Sequence, residues 1–366
     1  MSQNVRGFKW LVGGVVGMSL LGACGAPMEA GDTSSELNEQ AVNDIAVSLS
    51  VASRSLSARE DVAVTVTFTN VSSQPVQLLR WFVPGTESIK AGLFEVSRDG
   101  EEVEYIGPHV KRRAPQAEDF ITLAPGESRS GTAPLSGVYD LSQSGTYSVR
   151  FAAQSTNQHN VGLTRAAALD SNFVSLWIEG RPEREPELQA QAVTAQGLTT
   201  ASNCSSTRAS QISTAFASAK TYASSAVSYL NGISSGTTRY TTWFGTYSST
   251  NVGTARSHFT AINNAFASAA VTVDCSCTDS SYAYVYANKP YKIYVCGSFW
   301  SAPNTGTDSR AGTLVHEMSH FTVVAGTDDH AYGQSAAKSL AKSSPTRALD
   351  NADNHEYFAE NTPAQN

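Results

Sequence analysis

Two histidines and a glutamate within residues 313–320 have the spacing of a metal-dependent hydrolase. In a helix, His316 and His320 stand one turn apart on the same face, so both imidazoles can reach one metal ion. Glu317 lies on the adjoining side, where its carboxylate can act as a base toward a water held at the metal. Two neutral nitrogen ligands, a carboxylate base and an open coordination position together predict a zinc hydrolase.

The third protein ligand distinguishes the classes of zinc hydrolase that share this spacing. A metzincin has a glycine three residues after the second histidine and another histidine three residues later. This chain has Val323 and Gly326 at those places, which excludes that class. A thermolysin-like enzyme takes a glutamate from a later helix, whereas the nearest acids here are Asp328 and Asp329 in a glycine-rich turn. The residues alone leave Asp328 and His330 open as ligands.

The turn from Gly326 to Gly333 resembles that of the aspzincins, the deuterolysin family of zinc proteases. The family motif Gly-Thr-x-Asp-x-x-Tyr-Gly is matched at every defined position. The resemblance implies that Asp329 is the third zinc ligand beside the two histidines, and that Tyr332 points at the substrate carbonyl. The two glycines would let the backbone turn back under the metal.

The likeness covers residues 204–361 and is greatest to the peptidyl-Lys metalloendopeptidases of that family. Besides the zinc motifs it is carried by the aromatic patch at residues 240–245 and by the tail at residues 351–361. By this resemblance Asp353 and Glu356 are the carboxylates that bind the substrate lysine. Their spacing of three residues would place both on one face of a helix.

Five cysteines are present, and four of them lie in the C-terminal half. An even number in an exported domain predicts two disulfides. A structural zinc site is the competing interpretation, but a single residue between Cys275 and Cys277 is a poor spacing for chelation. The resemblance favours the pairing of Cys204 with Cys275 and of Cys277 with Cys296.

The first 24 residues read as an export signal. Two basic residues precede the apolar run at residues 10–21, which is too short to span a membrane as a mature helix. The run ends in Leu-Gly-Ala-Cys, which resembles a bacterial lipoprotein box and makes Cys24 a candidate for lipidation. Ordinary signal-peptide cleavage after Ala23 or Ala26 is the alternative. Either route exports the chain to a compartment that permits disulfides.

The charge balance narrows the range of partners. The chain of 366 residues has a formal net charge of −7 and 16% charged residues. Its one basic cluster is residues 111–113, so binding to nucleic acid is not expected. We expect protein and peptide substrates, a monomeric chain, and membrane contact only through the N-terminal lipid.

The N-terminal half reads as a β-rich region before a linker. Residues 25–44 are small and polar, as in a flexible tether. About seven short runs with period-two alternation at residues 45–180 predict an immunoglobulin-like β-sandwich. No catalytic chemistry is expected in this region: His109 and His159 are lone histidines, and we expect surface or satisfied polar residues rather than metal ligands. Residues 181–199 have the composition of a cleavable linker. By resemblance the sandwich is a pro-domain, although a retained accessory domain remains the alternative.

Residues 200–366 read as an α+β, zincin-like catalytic domain that is mostly helical with a small sheet. Apolar residues recur at three- and four-residue steps from residue 207 to 230, and a second helix is predicted at residues 253–270. Short alternating runs between residues 271 and 296 predict the sheet, whose edge can hold a substrate as an added strand. Two further helices are predicted at residues 335–342 and 352–360.

Together these features predict a secreted zinc metalloendopeptidase that cuts on the N-terminal side of lysine. In this hypothesis Glu317 acts as the base and one Zn²⁺ is bound by each catalytic domain. A deuterolysin-like protease of broader specificity would use the same zinc site without the acidic pocket. A surface-binding lipoprotein with an inactive zincin domain is the alternative from a different class.

Overall fold

The computed structural model describes residues 44–83, 92–154, 168–181 and 197–366. The predicted signal peptide with Cys24, nearly all of the tether, His159 and most of the predicted linker lie outside the described residues. In the described residues, no helix is long and apolar enough to cross a membrane.

The N-terminal part is built from twelve described strands, because its sequence alternates between apolar and polar residues. In the eight-residue run at residues 63–70, every second side chain is buried and the others are partly exposed. The strands are β1 (Ile45–Ser50), β2 (Ser55–Leu56), β3 (Ala63–Asn70), β4 (Val76–Leu79), β5 (Phe94–Arg98), β6 (Glu101–Glu102), β7 (Pro108–Lys111), β8 (Phe120–Leu123), β9 (Ser128–Pro134), β10 (Gly145–Gln154), β11 (Ala168–Asp170) and β12 (Val174–Ile178).

Most of these strands form two sheets around one apolar core. One sheet has the order β1-β3-β9, and the other has the order β2-β12-β10-β5-β6 with β11 paired to β10. A smaller pair joins β4 to β8. Phe68 from the first sheet and Phe94 from the second both pack edge-on against Phe151 in the shared core. The N-terminal part is therefore rich in sheet, as the alternation predicts.

The C-terminal part combines eight described helices with four further strands. The helices are α1 (Ser206–Gly232), α2 (Thr238–Phe244), α3 (Ser249–Ser268), α4 (Gly297–Ser301), α5 (Arg310–His320), α6 (Gln334–Ser343), α7 (Pro345–Leu349) and α8 (Ala352–Glu360). The strands are β13 (Gly197–Thr200), β14 (Ala270–Asp274), β15 (Ala283–Tyr286) and β16 (Lys292–Val295).

The long helix α1 shows how the sequence forms this helical layer. Its N-cap is Ser205, whose hydroxyl accepts a hydrogen bond from the backbone of Arg208. Its buried residues are mostly alanines, with Ile212, Phe216 and Leu230 as larger anchors. Alanine lets neighbouring helices approach closely and favours the helical backbone. The face predicted from the three- and four-residue steps is the one that packs against α3 and α5.

The five-stranded sheet of the C-terminal part has the order β13-β14-β16-β15-β7. Two of its strands depart from the domain limits expected from the sequence. β13 lies within the predicted linker, yet it pairs in parallel with β14. β7 comes from the middle of the N-terminal part, yet it pairs antiparallel with β15. The sheet beside the active-site helix is thus completed by a strand from the other half of the chain.

Two disulfides secure the region between α1 and α4. Cys204 is bonded to Cys275 and Cys277 to Cys296, the same pairing that the resemblance implies. The first joins the start of α1 to the end of β14, and the second joins the loop after β14 to the end of β16. Because both bonds involve the ends of sheet strands, they restrict the sheet on which the active-site helix packs.

Candidate active site

The active-site helix α5 is almost completely enclosed. Its N-cap Ser309 accepts a hydrogen bond from the backbone of Gly312 at 2.9 Å, which fixes where the helix begins. Each residue from Ala311 to His320 is buried. The helix packs against α1, α8 and the sheet, so its polar side chains are held away from bulk water. A position of this kind gives the side chains on α5 a fixed geometry.

Three side-chain atoms from α5 and the following turn converge on one point. Nε2 of His316 lies 3.2 Å from Nε2 of His320 and 3.2 Å from Oδ1 of Asp329. Nε2 of His320 lies 3.5 Å from the same carboxylate oxygen. For ligands at about 2.0–2.1 Å from a tetrahedral zinc ion, the expected separation is about 3.3 Å. The three distances fit three corners of that tetrahedron.

The hydrogen bonds of the two imidazoles explain why these nitrogens are suited to a metal. Nδ1 of His320 is 2.7 Å from the carbonyl oxygen of Thr327, so it carries the proton and donates it. Nδ1 of His316 lies 2.9 Å from Oδ1 of Asp353, so the same tautomer is favoured there. Each Nε2 atom then offers a lone pair. Two lone pairs and a carboxylate at this distance repel one another unless a cation lies between them, and the donor set therefore fits Zn²⁺.

Two buried carboxylates at this point accept no hydrogen bond from the described residues. They belong to Glu317 and Asp329. Burial opposes ionisation of Asp329, but the neighbouring His320 and His316 outweigh it and hold its pKa well below the usual range. Burial raises the pKa of Glu317 to about 8, against the opposing effect of His316. The two carboxylates therefore differ in how readily each one ionises.

The turn after α5 directs one aspartate inward and the other outward. Gly326 has a φ of 59°, and Thr327 returns to the helix through a backbone bond to Ser319 at 3.1 Å. Asp328 accepts a bond from the backbone of Asp329 at 2.7 Å, and the same carboxylate oxygen lies 3.5 Å from Nδ1 of His109. The imidazole of His330 contacts Asp350 at 2.7 Å. Of the three residues that the sequence left open as ligands, Asp329 is therefore the one that meets the two histidines.

Behind His316 lies a buried acidic pocket formed by α8. It holds the side chains of Asp353 and Glu356, and both are fully buried. The backbone of Gly333 donates to Asp353 at 2.6 Å. Asp353 therefore contacts both a candidate metal ligand and the pocket, so the two parts of the site share one side chain.

The pocket contains a lysine from the N-terminal part of the chain. Nζ of Lys111, in β7, lies 3.4 Å from Asp353, makes a short hydrogen bond to Glu356, and is 3.9 Å from Asp308. The ring of Tyr282 lies 5.1 Å from the ammonium, within the range of a cation–π contact. Lys111 has no exposed side-chain surface. A buried lysine is rare unless it is paired, and here three carboxylates surround it.

These charges determine one another's ionisation. Burial acts to lower the pKa of Lys111, but Asp353, Glu356 and Asp308 outweigh it and raise that pKa well above its usual value. Burial also opposes ionisation of Asp353, yet Lys111 and His316 lower its pKa overall. For Glu356 burial prevails, and its pKa is raised. The lysine thus neutralises acids that would otherwise be costly to bury.

The backbone of β7 also contacts the site. The hydroxyl of Tyr332 donates to the carbonyl oxygen of Val110 at 2.9 Å. The expectation that the N-terminal region takes no part in the site is wrong at His109, because its ring is tilted against that of His320 with centroids 4.8 Å apart. Its Nδ1 also lies 3.5 Å from Asp328. The prediction failed because a period-two strand looks the same whether it joins the sandwich or a distant sheet edge.

The sequence contained one signal for this contact. Lys111 is the only lysine between residues 91 and 219, and a lysine-binding site would be expected to accept it. Asp308 and Tyr282 were also missed as lining residues of the pocket. They lie outside the quoted motifs, and only the folded chain brings them to Lys111.

Comparisons with known proteins agree with this geometry. A family model for the aspzincins, described as "Lysine-specific metallo-endopeptidase", matches residues 229–360. An "Extracellular protease" of Aeromonas hydrophila is 45% identical over 314 residues, which cover 84% of this chain and 90% of the relative. A "Peptidyl-Lys metalloendopeptidase" of Grifola frondosa is 38% identical over 319 residues, or 83% and 89% of the two chains.

A solved structure named "Zinc peptidase from Grifola frondosa" is 52% identical in sequence, with a TM-score of 0.43, and the match covers 44% of this chain and all of that one. The relatives that span most of the chain confirm the resemblance inferred from the zinc motifs, and with it the dependence on zinc. This chain belongs to the aspzincin family of zinc metalloproteases.

Proposed function

We propose that this protein is a secreted zinc metalloendopeptidase that hydrolyses peptide bonds on the N-terminal side of lysine. The observation that carries the proposal is the ammonium group of Lys111, enclosed by Asp353 and Glu356 beside the three converging ligand atoms. A protease that binds lysine at this place would cut the bond before it, next to the metal. The names of the peptidyl-Lys relatives and of the extracellular protease support the same function.

Each residue of the zinc motifs has a separate role in this reaction. His316, His320 and Asp329 would hold the zinc ion. When bound there, zinc supplies Lewis acidity that polarises the carbonyl and makes a water molecule easier to deprotonate. Glu317 accepts a proton from the attacking water and passes it to the leaving amine. Tyr332 donates a hydrogen bond to the carbonyl oxygen, where negative charge develops.

Preference for lysine over arginine follows from the depth and shape of the pocket. The ammonium group is a compact charge, and in this pocket it is already surrounded by carboxylates and the Tyr282 ring with no exposed surface. A guanidinium group is larger and planar, so it would have to displace these walls. The neighbouring Arg112 lies outside the pocket and instead stacks on Trp81 at 4.9 Å. Charge attracts both residues, and size favours lysine.

The N-terminal part would act as a pro-domain. In this proposal residues 45–180 form an immunoglobulin-like sandwich, residues 181–199 a cleavable linker and residues 200–366 the catalytic domain. Because β13 spans residues 197–200 and pairs with β14, the cut would fall before it. Because β7 fills the substrate cleft, the uncut chain would be latent toward other proteins. The predicted signal at residues 1–24 agrees with export, and lipidation of Cys24 stays a prediction.

The experiment is a digest of one denatured protein by the activated enzyme, followed by mass spectrometry of the peptides. We expect new N-termini that are mostly lysine, and Glu317→Gln should retain zinc while losing nearly all hydrolysis. Hydrolysis without a lysine preference would instead identify a deuterolysin-like protease of broader specificity. Full zinc content without hydrolysis would support the surface-binding alternative and contradict the proposal.

A further inference from the structure

The strand β7 occupies the edge of the five-stranded sheet beside the active-site helix. It adds to the free edge of the sheet antiparallel to β15, with Lys111 opposite Ala283 and Val110 opposite Tyr284. The backbone of Tyr282 donates to the carbonyl oxygen of Lys111 at 3.0 Å. Main-chain pairing of this kind is how an extended peptide binds at a sheet edge.

The side-chain contacts identify which peptide bond occupies the reactive position. On one side of the bond, the carbonyl of Val110 accepts the hydrogen bond from Tyr332. On the other side, the Lys111 ammonium occupies the acidic pocket between Asp353 and Glu356. The bond between Val110 and Lys111 therefore has both features that the proposed reaction requires, a polarised carbonyl and a lysine immediately after it.

We propose that the Val110–Lys111 bond is the first substrate of this active site, and that it is hydrolysed within the same molecule. This inference rests on the proposed function. The oxygen of a water molecule bonds to the carbonyl carbon of Val110, and the bond from that carbon to the nitrogen of Lys111 breaks. One proton of the water passes through Glu317 to the leaving nitrogen. The products are a carboxylic acid at Val110 and an amine at Lys111, and transfer of the acid's proton to the amine leaves a carboxylate and an ammonium group.

The cut ends would stay together after hydrolysis. Both N-terminal sheets contain strands from before and after the cut that pair with each other: β3 pairs with β9, and β5 pairs with β10. Arg113, just past the cut, is held by Asp119 at 2.5 Å. The chain would thus be nicked without losing its pro-domain. Residues 112–219 contain no lysine, so release of the catalytic domain at the linker requires a different protease or relaxed specificity.

The first experiment follows the full chain, purified with a chelator, after zinc is added. Mass spectrometry and N-terminal sequencing should detect a new chain of 256 residues, residues 111–366, beginning at Lys111. The rate should not change on dilution, because the reaction is intramolecular. Lys111→Ala should abolish this product, whereas Arg112→Ala, one residue away and outside the pocket, should leave it unchanged. The two fragments should elute as one particle until they are denatured.

The second experiment measures occupancy of the cleft without catalysis. In a Glu317→Gln background, a fluorescent peptide containing an Xaa-Lys bond should not bind to the full chain, because Lys111 fills the pocket. Adding Lys111→Ala should restore binding, and adding Arg112→Ala should not. Lys111→Met, which keeps the aliphatic stem, gives the same comparison if the alanine chain folds poorly. Equal peptide binding with and without Lys111 would overturn the inference.

The outcomes separate this inference from the proposed function. If the zinc-loaded chain hydrolyses an added Xaa-Lys peptide only after its linker has been cut, while its own Val110–Lys111 bond stays intact throughout, the inference is overturned and the proposed function stands. In that case the strand is an uncut inhibitor. If neither bond is hydrolysed after the linker has been cut, both ideas fail. A Lys111 N-terminus in the wild-type chain, absent from Glu317→Gln, supports both.

Discussion

Asp353 should affect zinc affinity as well as lysine binding, whereas Glu356 should affect lysine binding alone. Asp353 lies 2.9 Å from Nδ1 of His316, while the nearest oxygen of Glu356 is 3.5 Å away and is occupied by Lys111. A carboxylate that accepts the proton of a ligating histidine fixes its tautomer and makes its other nitrogen more basic. The substitution Asp353→Asn would keep an acceptor but lose the charge, and Asp353→Ala would lose both.

The size of the effect follows from that contact. Loss of such a partner typically weakens metal binding by about 10- to 100-fold, and tenfold corresponds to about 1.4 kcal/mol. We expect Asp353→Asn near the lower limit and Asp353→Ala near the upper limit. Glu356→Gln and Glu356→Ala should change zinc affinity by less than about tenfold. Each of these four substitutions removes one carboxylate from around Lys111, so the loss of that charge affects the Asp353 variants and the Glu356 variants alike.

Zinc affinity can be measured by competition with a chromophoric chelator at constant pH. The Glu317→Gln background is suitable because it prevents hydrolysis during the titration. Lysine binding is measured separately, as the affinity of an Xaa-Lys peptide in chains that also carry Lys111→Ala. Equal zinc affinities for Asp353→Ala and Glu356→Ala would refute the dual role of Asp353. A loss of zinc in both series would instead indicate a general collapse of α8.

Three further predictions concern the framework of the site. The disulfide between Cys204 and Cys275 closes a loop of 71 residues, and the one between Cys277 and Cys296 closes a loop of 19. Replacing the first by serines should lower the free energy of unfolding, measured in urea, by about 4 kcal/mol, and replacing the second should lower it by about 3 kcal/mol. Gly312→Ala should lower the free energy of unfolding by about 1–3 kcal/mol in the same assay, because a methyl group there would overlap the carboxylate of Glu360. An unchanged free energy of unfolding would mean that α5 and α8 separate easily. Burial lowers the pKa of His355 to about 3, below its unfolded value near 6.5, so its contribution to stability is complete above pH 6.5 and is lost as the pH falls toward 3. With zinc removed by chelator, the wild-type chain should lose up to about 1.4 kcal/mol per pH unit in that range, and an equal slope in His355→Gln would contradict this assignment.

Much of the candidate zinc site follows from local sequence. The spacing of His316 and His320 places both rings on one face as soon as the segment is helical, whatever it packs against. The turn that brings Asp329 back is short and contains Gly326, which adopts a positive φ that few other residues accept. The main helices were likewise predictable, because α1 and α8 have strong apolar periodicity or belong to a recognisable motif.

The contents of the pocket could not be predicted from sequence, because they depend on contacts between distant residues. Lys111 is 242 residues from Asp353 and 245 from Glu356. The alternation in β7 predicts a strand but does not say which sheet edge the strand will join. That choice depends on which edge is left free and on the burial of Lys111 among carboxylates, and both exist only in the folded chain. Local spacing was enough to predict a zinc site and its chemistry, whereas the position of the chain's own lysine in the cleft depends on contacts that form only when distant segments pack together.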